Sequence, residues 1–268
     1  MSALAPTVRG WHTPAEMWRY REMLRSLVVR NLKVKYQRSL LGFLWTLLNP
    51  ILTLAVLATV FSIVVRIPVP QYWAFLVSGY FCWNFVMQVI GAGPFLIAEH
   101  APLRRSIAFP GEVLVLGAAL ARLVEFGAEM FIALVALIVF RHHGIPLSFV
   151  TLPVLVLLLL LLAVGLMMPV ATLAVFYHDV QHALPIVLLI LFYVSPVFYP
   201  ARMVPAALRG IYLLNPIARL LTLFQTVLYD GRMPSAAAFA NLFLIAIPVC
   251  LVGYAIFARY QAVFAEIV

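Results

Sequence analysis

The chain of 268 residues is poor in charge, and poor in lysine and aspartate above all. Its only lysines are Lys33 and Lys35, and neither follows a glycine. A Walker-type phosphate loop needs Gly-Lys followed by Ser or Thr, so this sequence contains none. Its only aspartates are Asp179 and Asp230. We therefore expect no ATP hydrolysis at a Walker site of this chain, and no nucleotide, metal or other cofactor bound by it.

Cysteine is equally scarce, and the sequence shows no convincing metal or catalytic motif. Cys82 and Cys250 lie in apolar segments without metal or disulfide spacing, which favours buried small side chains. His178 and His182 have His-x-x-x-His spacing, but with one nearby carboxylate a structural role is favoured over a metal site. No nucleophile lies beside a recognisable base. The chain is therefore predicted not to be an enzyme.

What the sequence has in abundance is apolar surface. It is 65% hydrophobic and 10% charged, and its mean hydropathy is +1.08. Soluble domains are about 45–50% apolar and about 25% charged. The composition predicts an all-α integral membrane protein, with room for roughly six spanning helices of about 20–25 residues. No short apolar core with a cleavage site opens the sequence, so we expect no cleavable signal peptide.

The first part of the chain, residues 1–38, predicts a loose tail and then an amphipathic helix over about 13–30. Thr13 caps it, Pro14 suits the first helical position, and Glu16 completes a capping box. The helix is too charged to span a membrane and suits the cytoplasmic interface. A solvated helix packed on a soluble partner is a compatible alternative. The predicted interfacial residues are Trp18, Arg21, Arg25 and Arg30.

The rest of the chain, residues 39–268, predicts six spans separated by breaks rich in proline and charge. The expected spans are 42–65, 72–98, 113–140, 151–176, 183–198 and 236–258. Segment 99–112 is a short charged connection. Segment 199–235 contains two short helical stretches, near 204–213 and 217–229, which are too short to span and are better interpreted as re-entrant or interfacial.

Basic residues are distributed unevenly between the two sides of this topology. The side of the termini carries eight cations from Arg9 to Arg38, together with Arg104, Arg105 and Arg259, against six on the other side. This bias predicts cytoplasmic termini. The net charge of +9 is explained by membrane edges and anionic lipid headgroups, so nucleic acid is not an expected partner.

Three ionisable residues lie inside the third predicted span. Arg122, Glu125 and Glu129 are spaced three and four residues apart, so they share one helix face. Ionisable groups in a span usually face protein or water. The stripe therefore lines a conduit or subunit seam, or it only fixes packing against a neighbouring helix. A proton relay is a weaker third reading, because the carboxylates lie on one span only.

Aromatic residues suggest two roles. Trp45, Trp73 and Tyr260 fit the aromatic belts found at span ends. A second group, Phe81, Trp83 and Phe85, lies nearer the middle of the second span. Aromatic faces stack well on the apolar faces of sugar rings, and a conduit for a long glycan would benefit from such surfaces.

Several short motifs, in order along the chain, resemble one family. Their order and spacing are more specific than any one of them. They are Arg30–Tyr36, Ser39-Leu40-Leu41-Gly42-Phe43-Leu44-Trp45, Asn49-Pro50, Phe109-Pro110-Gly111-Glu112, Phe176-Tyr177-His178-Asp179-Val180, Ser195-Pro196-Val197-Phe198-Tyr199-Pro200 and Leu214-Asn215-Pro216. Together they resemble the membrane subunits of type-2 ABC exporters, in the group that exports polysaccharides such as lipid-linked O antigen. Asn31 departs from the pattern, since the family often has Asp there.

The resemblance implies a homodimer in the inner membrane that encloses one channel. It also implies a separate cytoplasmic ATPase subunit, in two copies, which binds ATP and Mg. The implied substrate is a lipid-linked polysaccharide moved out of the cytoplasm. The segment 197–232 would form short gate helices on the outer side. Alternatives are a type-2 ABC exporter of teichoic acid, lipid or drug, an ion-gradient carrier, and a membrane-bound glycan-processing enzyme.

The resemblance also assigns residues to roles. Those expected to couple the chain to the ATPase are Arg104, Arg105, Ser106, Phe109, Pro110, His178 and Asp179. Those expected along the path of the glycan are Phe81, Trp83, Phe85, Tyr193, Phe198 and Tyr199. The polar stripe of Arg122, Glu125 and Glu129 completes the set of candidate site residues.

Overall fold

The computed structural model describes residues 18–37, 41–100, 109–141, 146–212 and 214–264. These residues form α-helices joined by short turns, and within these ranges there is no β-strand. The helices are α1 (Arg21–Tyr36), α2 (Leu44–Thr59), α3 (Tyr72–Glu99), α4 (Glu112–Arg141), α5 (Leu152–Phe176), α6 (Val180–Val194), α7 (Ala206–Tyr212), α8 (Pro216–Leu228) and α9 (Ala236–Tyr260). A π-helical turn, Val60–Val64, extends α2, and 3-10 turns lie at Leu147–Thr151 and Ala201–Met203.

Within the described ranges, five helical segments are long and apolar enough to cross a membrane. They are Leu44–Val64, Tyr72–Glu99, Glu112–Phe140, Leu147–Phe176 and Ala236–Tyr260. Each coincides with a predicted span to within a few residues, and the all-helical membrane fold is confirmed.

The segment predicted to span at 183–198 is shorter than expected. Helix α6 has 15 residues and a length of about 22 Å, less than the about 30 Å of a bilayer core. It ends at Val194 because Ser195 is extended, with φ −107° and ψ 151°, as expected for a residue before proline. The predicted end at residue 198 was therefore too late.

The most extensive helix–helix contact among the described residues joins α5 and α9, and it depends on two glycines. A Cβ atom on Gly165 would lie 2.6 Å from the Cα atom of Cys250, and one on Gly253 would overlap the carbonyl oxygen of Gly165. The two backbones touch because neither residue has a side chain. Small residues serve this purpose widely in membrane helices, where van der Waals packing drives association.

Helix α8 is short but packs into the bundle. Asn215 begins it by accepting a hydrogen bond from the Ile217 N–H at 3.0 Å, and Pro216 occupies its first turn. The Asn215 side-chain amide also donates to the Ser195 hydroxyl at 3.0 Å. This ties α8 to the break after α6. Short helices were predicted near 204–213 and 217–229, and α7 and α8 lie there.

Helix α1 runs beside α4. A Cβ atom on Gly117 would lie 3.1 Å from the Leu27 Cβ atom, and Lys35 donates a hydrogen bond to Glu125. In both pairs the residue numbers differ by 90, so the two helices run parallel. The predicted helix ended near residue 30, but α1 continues to Tyr36 because this packing extends along it. The predicted cap residues, Thr13 and Glu16, lie outside the described residues.

Candidate functional site: a polar cavity between the first two spans

A polar cavity of about 630 Å³ lies between α2 and α3 and reaches the end of α1. Helix α3 contributes Tyr80, Asn84 and Gln88, which are four residues apart and therefore share one face. The remaining lining residues are Lys35, Gly42, Trp45, Thr46, Asn49 and Pro50. Binding sites for small molecules usually have volumes of about 300–1,000 Å³, so the cavity has the size of a ligand site.

An ion cluster borders the cavity at Lys35. The Lys35 ammonium lies 2.9 and 2.8 Å from the two carboxylate oxygens of Glu125, whose side chain is 3% exposed. Arg122 donates to Glu125 at 2.9 Å and to the Gln88 side-chain oxygen at 3.2 Å. Burial lowers the pKa of Lys35, and its hydrogen bond to Glu125 opposes that shift. The buried carboxylate thus has two cationic partners on two helices.

The third member of the predicted stripe, Glu129, has a different partner. Asn84 donates its side-chain N–H to the two Glu129 oxygens at 3.1 and 3.4 Å, and Glu129 is 2% exposed. The lining of the cavity contains Lys35, Asn84 and Gln88, which are the partners of the stripe, and none of the stripe residues. The stripe therefore holds the lining residues in place.

Lys35 is a site residue that the sequence analysis missed. It was treated as a marker of topology and of the absent phosphate loop. The signal was present, because a buried glutamate needs a cation on another helix and the sequence offers two lysines. Asn49, Asn84 and Gln88 were missed too, since single amides carry no motif.

The predicted aromatic path divides into two groups. Phe81, Trp83 and Phe85 are at most 2% exposed and pack in the core, away from the α3 face that lines the cavity. The second group, Tyr193, Phe198 and Tyr199, forms an aromatic cluster. The Phe198 ring centroid lies 5.6 Å from that of Tyr193 and 4.9 Å from that of Tyr199.

This second group also contacts the end of the first long helix. Phe61, in the π-helical turn, stacks on Phe198 with centroids 5.0 Å apart. Tyr193 is 56% exposed, so the cluster has an open side. An aromatic surface therefore joins the end of the first span to the break after α6.

The residues predicted to contact the ATPase are only partly described. Arg104, Arg105 and Ser106 lie outside the described residues. Phe109 and Pro110 are buried just before α4 begins, whereas His178 and Asp179 are exposed in the turn between α5 and α6. Among the residues that the structure describes, no group of three or more His, Cys, Asp or Glu side chains is placed to hold a metal ion.

The predicted interfacial residues share an exposed, basic surface on and just before α1. Trp18 is 70% exposed, and the Arg21 guanidinium lies 5.7 Å from its ring centroid. Arg25 and Arg30 are exposed as well. A second cavity of about 220 Å³ lies between α1, α3 and α4 and is lined by Arg30, Lys35, Glu99, His100, Arg122 and Glu125 among others. Lys35 borders both cavities.

Comparison with known proteins gives consistent matches along the chain. The sequence model of the family described as ABC-2 type transporter matches residues 22–229. The chain is 32% identical over 254 residues to the O-antigen export system permease protein RfbA of Myxococcus xanthus, covering 94% of this chain and 97% of that protein. A protein of the same name from Klebsiella pneumoniae is 26% identical over 247 residues, covering 92% and 95%. The polysialic acid transport protein KpsM of Escherichia coli is 20% identical over 240 residues, covering 87% and 92%.

Proposed function

Since the chain belongs to the ABC-2 type transporter family, as a membrane-spanning permease subunit, we propose that it exports a lipid-linked polysaccharide of the O-antigen type. The observation that carries this proposal is the polar cavity between α2 and α3. Lipid tails offer no hydrogen-bond partners to amide and hydroxyl groups between two membrane helices, and each polar group there needs such a partner. They suit a substrate rich in hydroxyl groups, and the permeases named for O-antigen export support that choice.

In the proposed assembly two copies of the chain enclose the channel. Helix α2 supports this arrangement, because its apolar side chains are largely exposed in the single chain. Helix α6 and the extended segment that begins at Ser195 would together form a sixth crossing of the membrane. Helices α7 and α8 would form the gate on the outer side, next to the cluster around Phe198. Both termini would lie in the cytoplasm of a cell whose inner membrane holds the complex.

ATP and Mg would be bound by a separate ATPase subunit, in two copies, on the cytoplasmic side. Segment 99–112 and the exposed turn at His178 and Asp179 would contact it. Helix α4 follows the first of these directly, and it carries Glu125, which holds Lys35 at the cavity. A displacement of the segment would thus be transmitted to the cavity through the single helix α4. Such coupling requires contacts that differ between two states.

The test is to delete the gene, and separately that of the neighbouring ATPase, and to follow polymer at the cell surface. We expect polymer to accumulate inside the cell in both deletions, and the tagged chain to purify with the ATPase. Export that continues without the ATPase, or on an ion gradient alone, would refute the proposal. As a second test, Arg104→Glu with Arg105→Glu should weaken export while the chain still inserts into the membrane.

A further inference from the structure

The charges around the cavity indicate which kind of polymer it accepts. Among the described residues of the lining, Lys35 is the only charged one, and both Glu125 oxygens lie within 2.9 Å of its ammonium. An anionic group would share the Lys35 ammonium with a carboxylate that is already in place, so its attraction to Lys35 is partly cancelled. It would also leave Glu125, buried as it is, with less compensation for its charge. The arrangement therefore disfavours phosphate or carboxylate groups at the cavity.

The same buried charges orient the amides that line the cavity. Glu129 accepts from the Asn84 amide nitrogen, so the Asn84 carbonyl oxygen is left to accept from another group. Arg122 donates to the Gln88 oxygen, so the Gln88 amide nitrogen is left to donate. Two side chains one helical turn apart thus present an acceptor and a donor. A sugar hydroxyl both donates and accepts, and it matches such a pair without carrying charge.

Aromatic rings from both walls of the cavity supply the apolar complement. Trp45 is 51% exposed and lines the cavity from α2, and Tyr80 lines it from α3 one turn before Asn84. Aromatic rings offer flat apolar faces with little loss of conformational freedom. Asn49 lies one turn after Trp45 and adds another uncharged amide. The described lining thus combines amides and aromatic faces with a lysine that is already paired, which suits an uncharged sugar ring.

We infer that this cavity is a binding site for uncharged sugar residues and that it discriminates against acidic polymers such as polysialic acid. The inference rests on the proposed function, because it assigns a substrate class to the same cavity. Within it, Glu125 is a positioning residue that keeps Lys35 away from anions. Asn84 and Gln88 are the residues that contact the sugar.

The test uses the full chain, purified with its ATPase and placed in lipid nanodiscs. The probes are maltohexaose, which is uncharged, and the α2,8-linked hexamer of sialic acid, which carries one carboxylate per ring. Binding is followed as the change in tryptophan fluorescence that Trp45→Phe removes. Asn84→Leu is compared with Asn241→Leu, which changes an exposed amide on α9 outside the cavity.

We expect maltohexaose to bind about tenfold more tightly than the acidic hexamer, a difference of about 1.4 kcal/mol. Asn84→Leu should weaken maltohexaose binding, and Asn241→Leu should leave it unchanged. Glu125→Gln should reduce or reverse the preference, because it releases Lys35 toward anions. Equal or tighter binding of the acidic hexamer, binding of neither probe, or a preference that survives Glu125→Gln would overturn the inference.

Export in cells separates this inference from the proposed function. If the chain and its ATPase move a polymer to the surface but the binding results contradict the preference, only the inference on sugar charge fails. If no polymer reaches the surface through them, the proposed function fails first.

Discussion

Two of the seams between the described helices differ in kind. The seam between α5 and α9 is apolar and depends on backbone contact at Gly165 and Gly253. The seam between α1, α3 and α4 is polar and depends on Lys35 and Asn84, each bound to a buried glutamate. The first allows one arrangement only, since any side chain would separate the helices. The second consists of side chains beside a cavity that could exchange their hydrogen-bond partners. We therefore assign function to the polar seam and rigidity to the apolar one.

The largest effect is expected at the apolar seam. Gly253→Ala should prevent normal folding, because its Cβ atom would overlap the Gly165 carbonyl oxygen and only backbone can move. The penalty should exceed the about 1–3 kcal/mol of ordinary overpacking. The measurement is the yield of monodisperse protein and its melting temperature in detergent.

A matched glycine substitution serves as the control. Gly127 lies in α4, and a Cβ atom there would meet no atom within 4 Å. Gly127→Ala should therefore leave the yield unchanged. Equal yields of the two alanine variants would contradict the description of the apolar seam.

The next effect is expected at the ion cluster. Glu125→Ala leaves Lys35 and Arg122 without their shared carboxylate, and loss of one partner of a buried pair costs about 3–5 kcal/mol. We expect a lower melting temperature and loss of export. Glu22→Gln is the control, because the exposed pair of Arg21 and Glu22, 3.9 Å apart, should contribute only about 0–1 kcal/mol. Similar losses in both variants would show that burial of Glu125 does not matter.

A smaller effect is expected from the contact between Asn84 and Glu129. Asn84→Leu leaves a buried carboxylate without its donor, at a cost of about 1–3 kcal/mol. Replacing both residues by leucine should recover much of the stability but not the export, because the cavity would still lack its amide. Thermal unfolding and surface polymer report the two quantities separately. Recovery of export in the double variant would argue against a role for Asn84 in the cavity.

The smallest effect is expected at the start of α8, away from both seams. Asn215→Ala removes the cap on Ile217 and the bond to Ser195, and should cost about 1 kcal/mol. Asn215→Asp keeps the cap but loses the donor, so its melting temperature should fall between those of wild type and Asn215→Ala. An Asp variant as unstable as the Ala variant would mean that the bond to Ser195 dominates.

Local sequence signals predicted the long helices well. Apolar runs and proline breaks gave five spans to within a few residues, and Asn215-Pro216 marked the start of α8. The end of α6 was placed too late, because the apolar residues after Ser195 extended the hydropathy pattern beyond the helix. Hydropathy reports composition, whereas the extended backbone before Pro196 decides where the helix stops.

Contacts between distant segments were not predictable in the same way. The partnership of Lys35 with Glu125 joins residues 90 positions apart, and the crossing at Gly165 and Gly253 leaves no periodic signal. Aromatic content suggested that Phe81, Trp83 and Phe85 line the path of the glycan, yet these three side chains are buried and fill the core. Which face of a helix meets a neighbour depends on the tertiary packing, and that determined the cavity lining.

Photocross-linking in cells tests whether exported polymer passes the cavity between α2 and α3. A photoreactive amino acid replaces Trp45 in the cavity or, as the control, Leu251, which is 59% exposed on α9 outside that lining. Cells that make and export the polymer are irradiated, and polymer bound to the chain is detected on gels. This route predicts a polymer adduct at position 45 and none at position 251. Export with no adduct at position 45, or with equal adducts at both positions, would contradict it.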